Sequence, residues 1–389
     1  MTWSSLLAPT AAGLAVIVAT VATAKPRARE YRIPFEGTPG TLNAITDVAG
    51  VEVGHTTLIK GAGKLVIGVG PVRTGVTAIL PRGKNDSSPV FAAWHSLNGN
   101  GEMTGTTWLE DSGLLDGPVV TTNTHSIGAA HQAVVSWRVK QGKPNEAISL
   151  PVVAETWDGF LNDINGFHVK EEHVLAALDS AKSGPVAEGG VGGGTGMVCY
   201  EFKGGIGTAS RSVQIPAGTY IVGVLVQANY GLRNQLKIAG IPVGQAFPSD
   251  LVWSKETGSI LVVVATDAPL LPHQLKRMAR RAGMGIARLG SVSGDSSGDI
   301  FIAFSTQKTQ PIGDAKNGVN AATMLKNDQL DKLFEATIQA VEESVVNALV
   351  AAETMTGVDD HRAVAMPVKD VVSILKKHGR LADPLPSSH

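Results

Sequence analysis

The chain has 389 residues and a net charge of −1, with 43% apolar and 17% charged side chains. This composition is typical of a globular protein with a large core, and the charge balance gives no electrostatic basis for binding nucleic acid. The single cysteine, Cys199, excludes an intrachain disulfide and a cysteine-based zinc site.

The N-terminal segment has the pattern of an export signal. Its first 24 residues carry no charged side chain, residues 6–21 are mostly apolar, and the run Ala22-Thr23-Ala24 precedes Lys25. We therefore predict a secretory signal peptide over residues 1–24 that is cleaved after Ala24, and a periplasmic or secreted protein. Because no Lys or Arg precedes the apolar run, an uncleaved membrane anchor is the alternative.

Short β-branched runs bounded by Gly, Pro, Asn or Asp predict strands along most of the chain. The predicted strands cover residues 51–53, 65–69, 76–80, 150–154, 220–226, 260–266 and 300–305. The last four are almost continuously apolar, which is typical of strands buried on both faces.

Apolar residues at helical spacing predict helices over residues 126–139, 172–181, 271–282 and 328–354. Asn327 is a plausible N-cap for the last helix, and residues 314–327 form a polar connector. With no internal repeat and no clear linker, the pattern indicates one α/β or α+β domain, with sheets in the middle and helices outside.

The junction Gly258-Ser259 stands immediately before an apolar strand. If the backbone were cut there, Ser259 would carry a hydroxyl nucleophile and a free α-amine whose unperturbed pKa is about 7.7–8.0. An amine-activated N-terminal hydroxyl is a known catalytic arrangement. Taken alone, the pair is far more typical of a simple turn before a strand.

Two other motifs fit known chemistry less well. The glycine-rich run at 189–196 lacks the lysine of a P-loop and the spacing of a dinucleotide-binding loop, so it indicates a tight backbone turn near an active site. Ser296 lies in a G-x-S-x-G sequence, Gly294 to Gly298, but a strand follows where a nucleophile elbow requires a helix.

Polar residues at strand ends are further candidates. Glu155 follows a buried strand and precedes Trp157, and could bind a substrate ammonium group. Asn229 ends another strand, where its amide could donate to an oxyanion. The alternatives are a solvated loop carboxylate and a turn asparagine.

Taken in chain order, seven motifs resemble the L-aminopeptidase/D-amidase-esterase and β-peptidyl aminopeptidase family. The resemblance runs from about residue 43 to residue 306. The motifs are TNTHSIG at 122–128, residues 151–159, GGGTGM at 192–197, residues 226–231, Gly258-Ser259, ATDAP at 265–269 and SGDI at 297–300.

The resemblance implies a four-layer α/β/β/α sandwich that is similar to N-terminal nucleophile hydrolases but differently connected. It also implies a precursor that cleaves itself before Ser259, leaving an α subunit (25–258) and a β subunit (259–389) of one catalytic domain. The implied activity removes N-terminal residues from small peptides, amides or esters with a free amine, including β-amino acid or D-residue substrates. It requires no metal or organic cofactor, and the two-chain units assemble into homo-oligomers.

By position, Ser259 matches the family's nucleophile, and Asn229 matches the residue whose side chain helps to bind the oxyanion. Ser297 and Asp299 match a pair near the nucleophile, although the acid is Glu in some relatives. Glu155 matches the acid that holds the substrate amine.

Trp157 stands where some relatives have Tyr. An indole offers one N–H donor and no acceptor, so a role that needs a phenolic oxygen is in question here. Two rival hypotheses remain, namely a conventional serine hydrolase that uses Ser296 and a non-catalytic exported binding protein.

Overall fold

The computed structural model describes residues 26–141, 149–255, 257–307, 318 and 321–383. The predicted signal peptide lies outside these residues, as do residues 314–317, 319 and 320 of the predicted connector. In the described ranges, no helix has the length and apolar character needed to cross a membrane.

The strands of the described residues are, in chain order, β1 (Glu52–Lys60), β2 (Val72–Leu80), β3 (Val90–Ser96), β4 (Leu114–Leu115), β5 (Val119–Asn123), β6 (Val152–Thr156), β7 (Val198–Cys199), β8 (Phe202–Lys203), β9 (Gly205–Ile215), β10 (Gly218–Asn229), β11 (Ser259–Thr266), β12 (Ile300–Ser305), β13 (Met355–Thr356) and β14 (Arg362–Ala363). The α-helices are α1 (Thr106–Ser112), α2 (Ile127–Lys140), α3 (Glu171–Asp179), α4 (Pro272–Arg288), α5 (Asp331–Ala351) and α6 (Val368–Lys377).

Two sheets form the centre of the molecule. One has four strands in the order β1-β2-β5-β6, and the other has six in the order β4-β3-β12-β11-β10-β9. The pairs β5–β6 and β11–β12 are parallel, and the other neighbours in the two sheets are antiparallel.

The buried apolar side chains fall into three main clusters that define four layers. One cluster lies between the sheets and includes Leu225, Leu261 and Val263. A second packs α2 and α3 on the four-stranded sheet, and the third packs α4 and α5 on the six-stranded sheet. The predicted α/β/β/α sandwich is therefore confirmed, because alternate residues of each buried strand face different layers.

Most predicted elements are present with ends shifted by a few residues. The prediction of a strand at 65–69 is wrong. These residues form an exposed loop between β1 and β2, with only an isolated bridge from Val66 to Gly70. Gly68 and Gly70 adopt positive φ in this loop, which breaks the extended conformation. The long C-terminal helix begins at Asp331 after a short 3-10 turn, so Asn327 is not its N-cap.

Strands β3, β5 and β9 and helix α6 were not predicted. Strand β9 contains several small and polar residues, including Arg211, so its sequence lacks the apolar pattern of a buried strand. The Arg211 guanidinium is buried because it pairs with Glu343 of α5 at 2.7 Å. A buried polar strand of this kind depends on a partner that is distant in sequence.

Candidate active site

Ser259 is the first residue of β11, and it is buried directly opposite Asn229, the last residue of β10. Leu225 and Leu261 point into the layer between the sheets. Since side chains alternate along a strand, Ser259 and Asn229 point to the same side. The two side chains therefore meet at one end of the space between the sheets.

Glycine at position 258 is required by close packing. A Cβ atom there would lie 2.0 Å from the carbonyl oxygen of Asn229 and 2.7 Å from the Cα of Tyr230. Backbone atoms cannot move aside as a flexible side chain can, so any larger residue would displace the junction. The fold thus seats the Gly258–Ser259 peptide firmly against the end of β10.

The loop before β12 supplies the groups next to Ser259. The amide of Gly298 donates to Ser259 Oγ at 3.2 Å. The Ser297 hydroxyl donates to Asp299 Oδ1 at 2.6 Å, and the Ile260 amide donates to the same oxygen at 3.2 Å. The predicted pair, Ser297 and Asp299, therefore lies beside the nucleophile candidate.

Asp299 sits in an environment that favours its neutral form. Burial raises the pKa of its carboxyl, and the hydrogen bonds from Ser297, Ser293 and the Ile260 amide oppose that shift. Its Oδ1 accepts from the Ser297 hydroxyl and so orients that group.

The Asn229 side chain is oriented by two backbone contacts. Its Oδ1 accepts from the Val198 amide at 2.8 Å, and its Nδ2 donates to the Trp157 carbonyl at 2.9 Å. These two contacts fix the orientation of the amide, which lies on the same side of the strand pair as Ser259. An N–H donor at that place can bind an oxyanion when it exchanges the Trp157 carbonyl for a substrate oxygen.

Glu155 is buried in β6, and both of its oxygens are engaged. Oε1 accepts from the Glu102 amide at 3.0 Å, and Oε2 accepts from the Thr124 hydroxyl. Burial raises the pKa of this carboxyl, and the bonds from Thr124 and Glu102 oppose the shift. An ammonium group is the ligand that such a desolvated acid would favour.

Gly101 connects Glu155 to the nucleophile candidate. The position of a Cβ on Gly101 lies 3.3 Å from Glu155 Oε1 and also 3.3 Å from the carbonyl oxygen of Gly298, whose amide contacts Ser259. Glu155 and Ser259 are therefore linked through Gly101 and Gly298, although about a hundred residues separate them in sequence.

Trp157 adjoins the site through its backbone, because its carbonyl accepts from Asn229 Nδ2 at 2.9 Å. The residue is 37% exposed, and its ring lies against Gly159 with its centroid 6.2 Å from that of the Trp253 ring. An indole presents an apolar face and one N–H donor, so Trp157 offers an apolar contact surface beside the site.

The structure removes the basis for a nucleophile elbow at Ser296. The loop containing it leads into strand β12 instead of a helix, and the Ser296 carbonyl accepts from Asn100 Nδ2 at 2.8 Å. The glycine-rich run forms a buried 3-10 turn at Gly192–Gly194, where a Cβ on Gly193 would lie 2.2 Å from Gln227 Oε1. Among the described residues, no cluster of three or more His, Cys, Asp or Glu side chains could hold a metal ion.

Sequence reasoning did not assign roles to Thr124, Gly101 or Gly298. The alternation Asn98-Gly99-Asn100-Gly101 signals a tight turn, but not its approach to Glu155. A Cβ on Gly298 would lie 2.3 Å from the Asn100 carbonyl, so this glycine is also required by a contact distant in sequence.

Comparison with known proteins gives matches over most of the chain. The sequence profile of peptidase family S58 matches residues 43–363. The beta-peptidyl aminopeptidase BapA of Sphingosinicella microcystinivorans is 53% identical over 383 residues, covering 94% of this chain and 96% of that protein. The enzyme of the same name from Sphingosinicella xenopeptidilytica is 49% identical over 391 residues, covering 96% and 97%.

Solved structures show the same architecture. The L-aminopeptidase D-Ala-esterase/amidase of Ochrobactrum anthropi, described as a prototype serine aminopeptidase with a variant of the Ntn-hydrolase fold, superposes with a TM-score of 0.87 at 50% identity, covering 92% of this chain and all of that one. A beta-aminopeptidase from a Burkholderia species superposes with a TM-score of 0.83 at 47% identity, covering 91% and 99%. The chain therefore belongs to peptidase family S58, and it is a serine aminopeptidase with this variant of the Ntn-hydrolase fold.

Proposed function

We propose that this aminopeptidase activates itself by cleaving the Gly258–Ser259 bond and then releases N-terminal residues from small peptides, amides or esters. The observation that carries the proposal is the placement of Ser259 Oγ, which faces Asn229 across the strand pair and accepts from the Gly298 amide at 3.2 Å. Each neighbour of this hydroxyl is suited to one task in acyl transfer.

In self-cleavage, Ser259 Oγ attacks the Gly258 carbonyl carbon and the C–N bond to the Ser259 nitrogen breaks. The acyl group is then held as an ester on Oγ, and the nitrogen becomes a free amine. Water hydrolyses the ester, which leaves a carboxylate on Gly258 and restores the Ser259 hydroxyl. The tight seat of Gly258 against Asn229 supports this step because it fixes the carbonyl at the nucleophile.

In turnover, Ser259 Oγ attacks the scissile carbonyl of the substrate. The α-amine of Ser259 takes the proton, or Ser297 relays it, and the same proton later protonates the leaving amine or alcohol. In this proposal Asn229 Nδ2 and the Gly298 amide bind the oxyanion, and each leaves its present acceptor, the Trp157 carbonyl or Ser259 Oγ, to do so. Water then hydrolyses the acyl-enzyme and regenerates Ser259.

Glu155 is proposed to hold the free amine of the substrate, which limits cleavage to the first residue. The names of the relatives place β-peptides and D-alanyl esters and amides among their substrates. We extend both β-amino acid and D-residue substrates to this chain as proposals, with Trp157 shaping the pocket where some relatives have Tyr.

The test compares hydrolysis of a β-homoamino acid p-nitroanilide with that of its N-acetylated form. We expect the wild type and Ser296→Ala to hydrolyse only the free amine form, and Ser259→Ala to hydrolyse neither. Equal hydrolysis of the acetylated compound would contradict the aminopeptidase assignment. Loss of activity in Ser296→Ala with retention in Ser259→Ala would favour the conventional serine hydrolase.

We also propose that the protein is exported after signal cleavage at Ala24 and that the two-chain units form a homo-oligomer. Support for the oligomer comes from the exposed apolar side chains Val66, Ile67 and Val69 in the loop between β1 and β2, since monomers rarely expose such a patch. Light scattering should show the mass of several two-chain units for the wild type and a smaller mass for Ile67→Asp. A monomeric wild type would contradict this proposal.

A further inference from the structure

The segment that leads to the cleavage junction, residues 247–253, is held by Glu201, whose side chain is buried. Glu201 Oε1 accepts from the amides of Val252 and Trp253 at 2.7 and 2.8 Å. A carboxylate that accepts two consecutive backbone amides fixes both the position and the direction of that peptide.

Arg233, also buried, holds the same segment from its carbonyl side. Its Nη1 donates to the carbonyls of Phe247 and Ser249 at 3.2 and 3.3 Å, and its Nη2 donates to that of Asp250 at 3.4 Å. The backbone amide of Arg233 donates to Glu201 Oε2 at 2.8 Å, which joins the two residues. We call this pair, Glu201 and Arg233, the clamp.

The clamp is continuous with the active site. Glu201 lies in the turn between β7 and β8, where it and Tyr200 adopt left-handed backbone angles with φ of 58° and 49°. Val198 of the same hairpin donates its amide to Asn229 Oδ1, and Tyr200 donates its amide to the Tyr230 carbonyl at 2.6 Å. The hairpin therefore joins the segment before the junction to the end of β10, where Ser259 is paired.

We propose that the clamp is a positioning device for self-cleavage. This inference rests on the proposed function. Ser254, Lys255 and Thr257, which lie between the clamp and the junction, are exposed, whereas the clamp and Gly258 hold the two ends of this stretch. Holding both ends keeps the scissile carbonyl at Ser259 Oγ, and a longer free segment lowers the fraction of time it spends there.

The clamp also explains how the tail of the α subunit stays in place after the cut. Once the Gly258–Ser259 bond is broken, residues 254–258 lose their covalent attachment to β11. The backbone bonds to Glu201 and Arg233 then hold the new C-terminal segment as far as Trp253.

The test measures the rate at which freshly synthesised precursor is converted into two chains. Glu201→Gln loses the carboxylate charge and leaves a single acceptor oxygen in place of two. Glu172→Gln is the matched control, because it makes the same change at an exposed glutamate of α3, outside the clamp. We expect Glu201→Gln to process at least about tenfold more slowly than wild type and Glu172→Gln.

Two further readouts separate positioning from a general loss of structure. The processed fraction of Glu201→Gln should keep the wild-type kcat, and carboxypeptidase should trim its α subunit past Trp253, whereas wild type should be trimmed only to Trp253. Processing at the wild-type rate, or an equal loss of kcat and processing rate, would overturn the inference.

If Glu201→Gln does not fold, Val252→Pro provides the test of the clamp. This variant removes one amide donor to Glu201 and leaves Glu201 and Arg233 unchanged. Slow processing of Val252→Pro with normal kcat supports the inference, and wild-type processing overturns it. A wild-type chain that never cleaves itself would instead refute the proposed function.

Discussion

At the residue scale, Glu155 is a desolvated acid whose two oxygens are already hydrogen-bonded to Thr124 and Glu102. Replacing it by Gln keeps the shape and removes the charge. We expect Glu155→Gln to lower kcat/KM for free amine substrates about 10- to 100-fold, mainly through KM, because a hydrogen bond to a charged group contributes about 1.5–3 kcal/mol. Steady-state kinetics check this, and an unchanged KM would exclude Glu155 from amine binding.

The raised pKa of Glu155 predicts how KM changes as the pH falls. Burial favours the protonated carboxyl, whereas binding an ammonium requires the carboxylate. As pH falls through this raised pKa, KM of the wild type should therefore increase, starting at a higher pH than for an ordinary glutamate. In Glu155→Gln this acidic increase should be absent, and its persistence would assign it to another group.

Asn229 offers the second prediction at this scale. If Asn229 Nδ2 binds the oxyanion as proposed, Asn229→Ala should lower kcat of the processed enzyme by about 10²–10³ with little change in KM. Asn234→Ala, an exposed asparagine five residues along the chain, is the control and should be neutral. Equal kcat values for the two variants would remove Asn229 from the mechanism.

The sequence predicts Ser259, Asn229 and Glu155 because each stands at a strand end, and the family resemblance assigns their tasks. Their approach to one another depends on contacts that leave no local signal in the sequence. The approach of Gly101 to Glu155 and Gly298 is one such contact, and the Val198 amide on Asn229 is another. A single sequence shows the residue types but not these pairings.

At the element scale, the start of β11 is set by the close approach of Gly258 to the end of β10. Gly258→Ala would place a methyl group 2.0 Å from the Asn229 carbonyl, and overpacking of this kind costs about 1–3 kcal/mol. We expect the displaced junction to cleave more slowly. Gly128→Ala is the control, because a Cβ there meets nothing within 4 Å.

Electrophoresis of the precursor over time distinguishes the two glycine variants. Cleavage of Gly258→Ala at the wild-type rate would show that the tight seat of the junction is not needed.

Strands and helices with continuous apolar faces are predicted well, as β11, β12 and α2 show. The apolar run at 65–69 is predicted wrongly because the glycines at 68 and 70 adopt positive φ and leave it exposed. Strand β9 is missed for the opposite reason, since its buried Arg211 is compensated by Glu343 far along the chain. Local pattern cannot reveal either effect.

At the scale of the whole molecule, the strand order bears on how two chains could remain one enzyme. In the six-stranded sheet, β11 and β12 lie between β3 and β10. The proposed β subunit therefore supplies two central strands, and the proposed α subunit supplies the strands on both sides. Separation would break ladders along both edges of this pair and expose the core on both faces of the sheet.

We therefore expect both chains of the processed protein to elute together in size-exclusion chromatography without denaturant. Denaturing electrophoresis of the same peak should resolve them. Elution of the two chains in separate peaks under native conditions would contradict this account of the sheet.

The central claim, self-cleavage at the nucleophile, is tested most directly by N-terminal sequencing combined with intact-mass measurement of the purified protein. The wild type should yield a chain that begins at Ser259 and a second that ends at Gly258, while Ser259→Ala should remain a single inactive chain. An active wild type with an intact Gly258–Ser259 bond, or a Ser259→Ala protein cut at that bond, would contradict it.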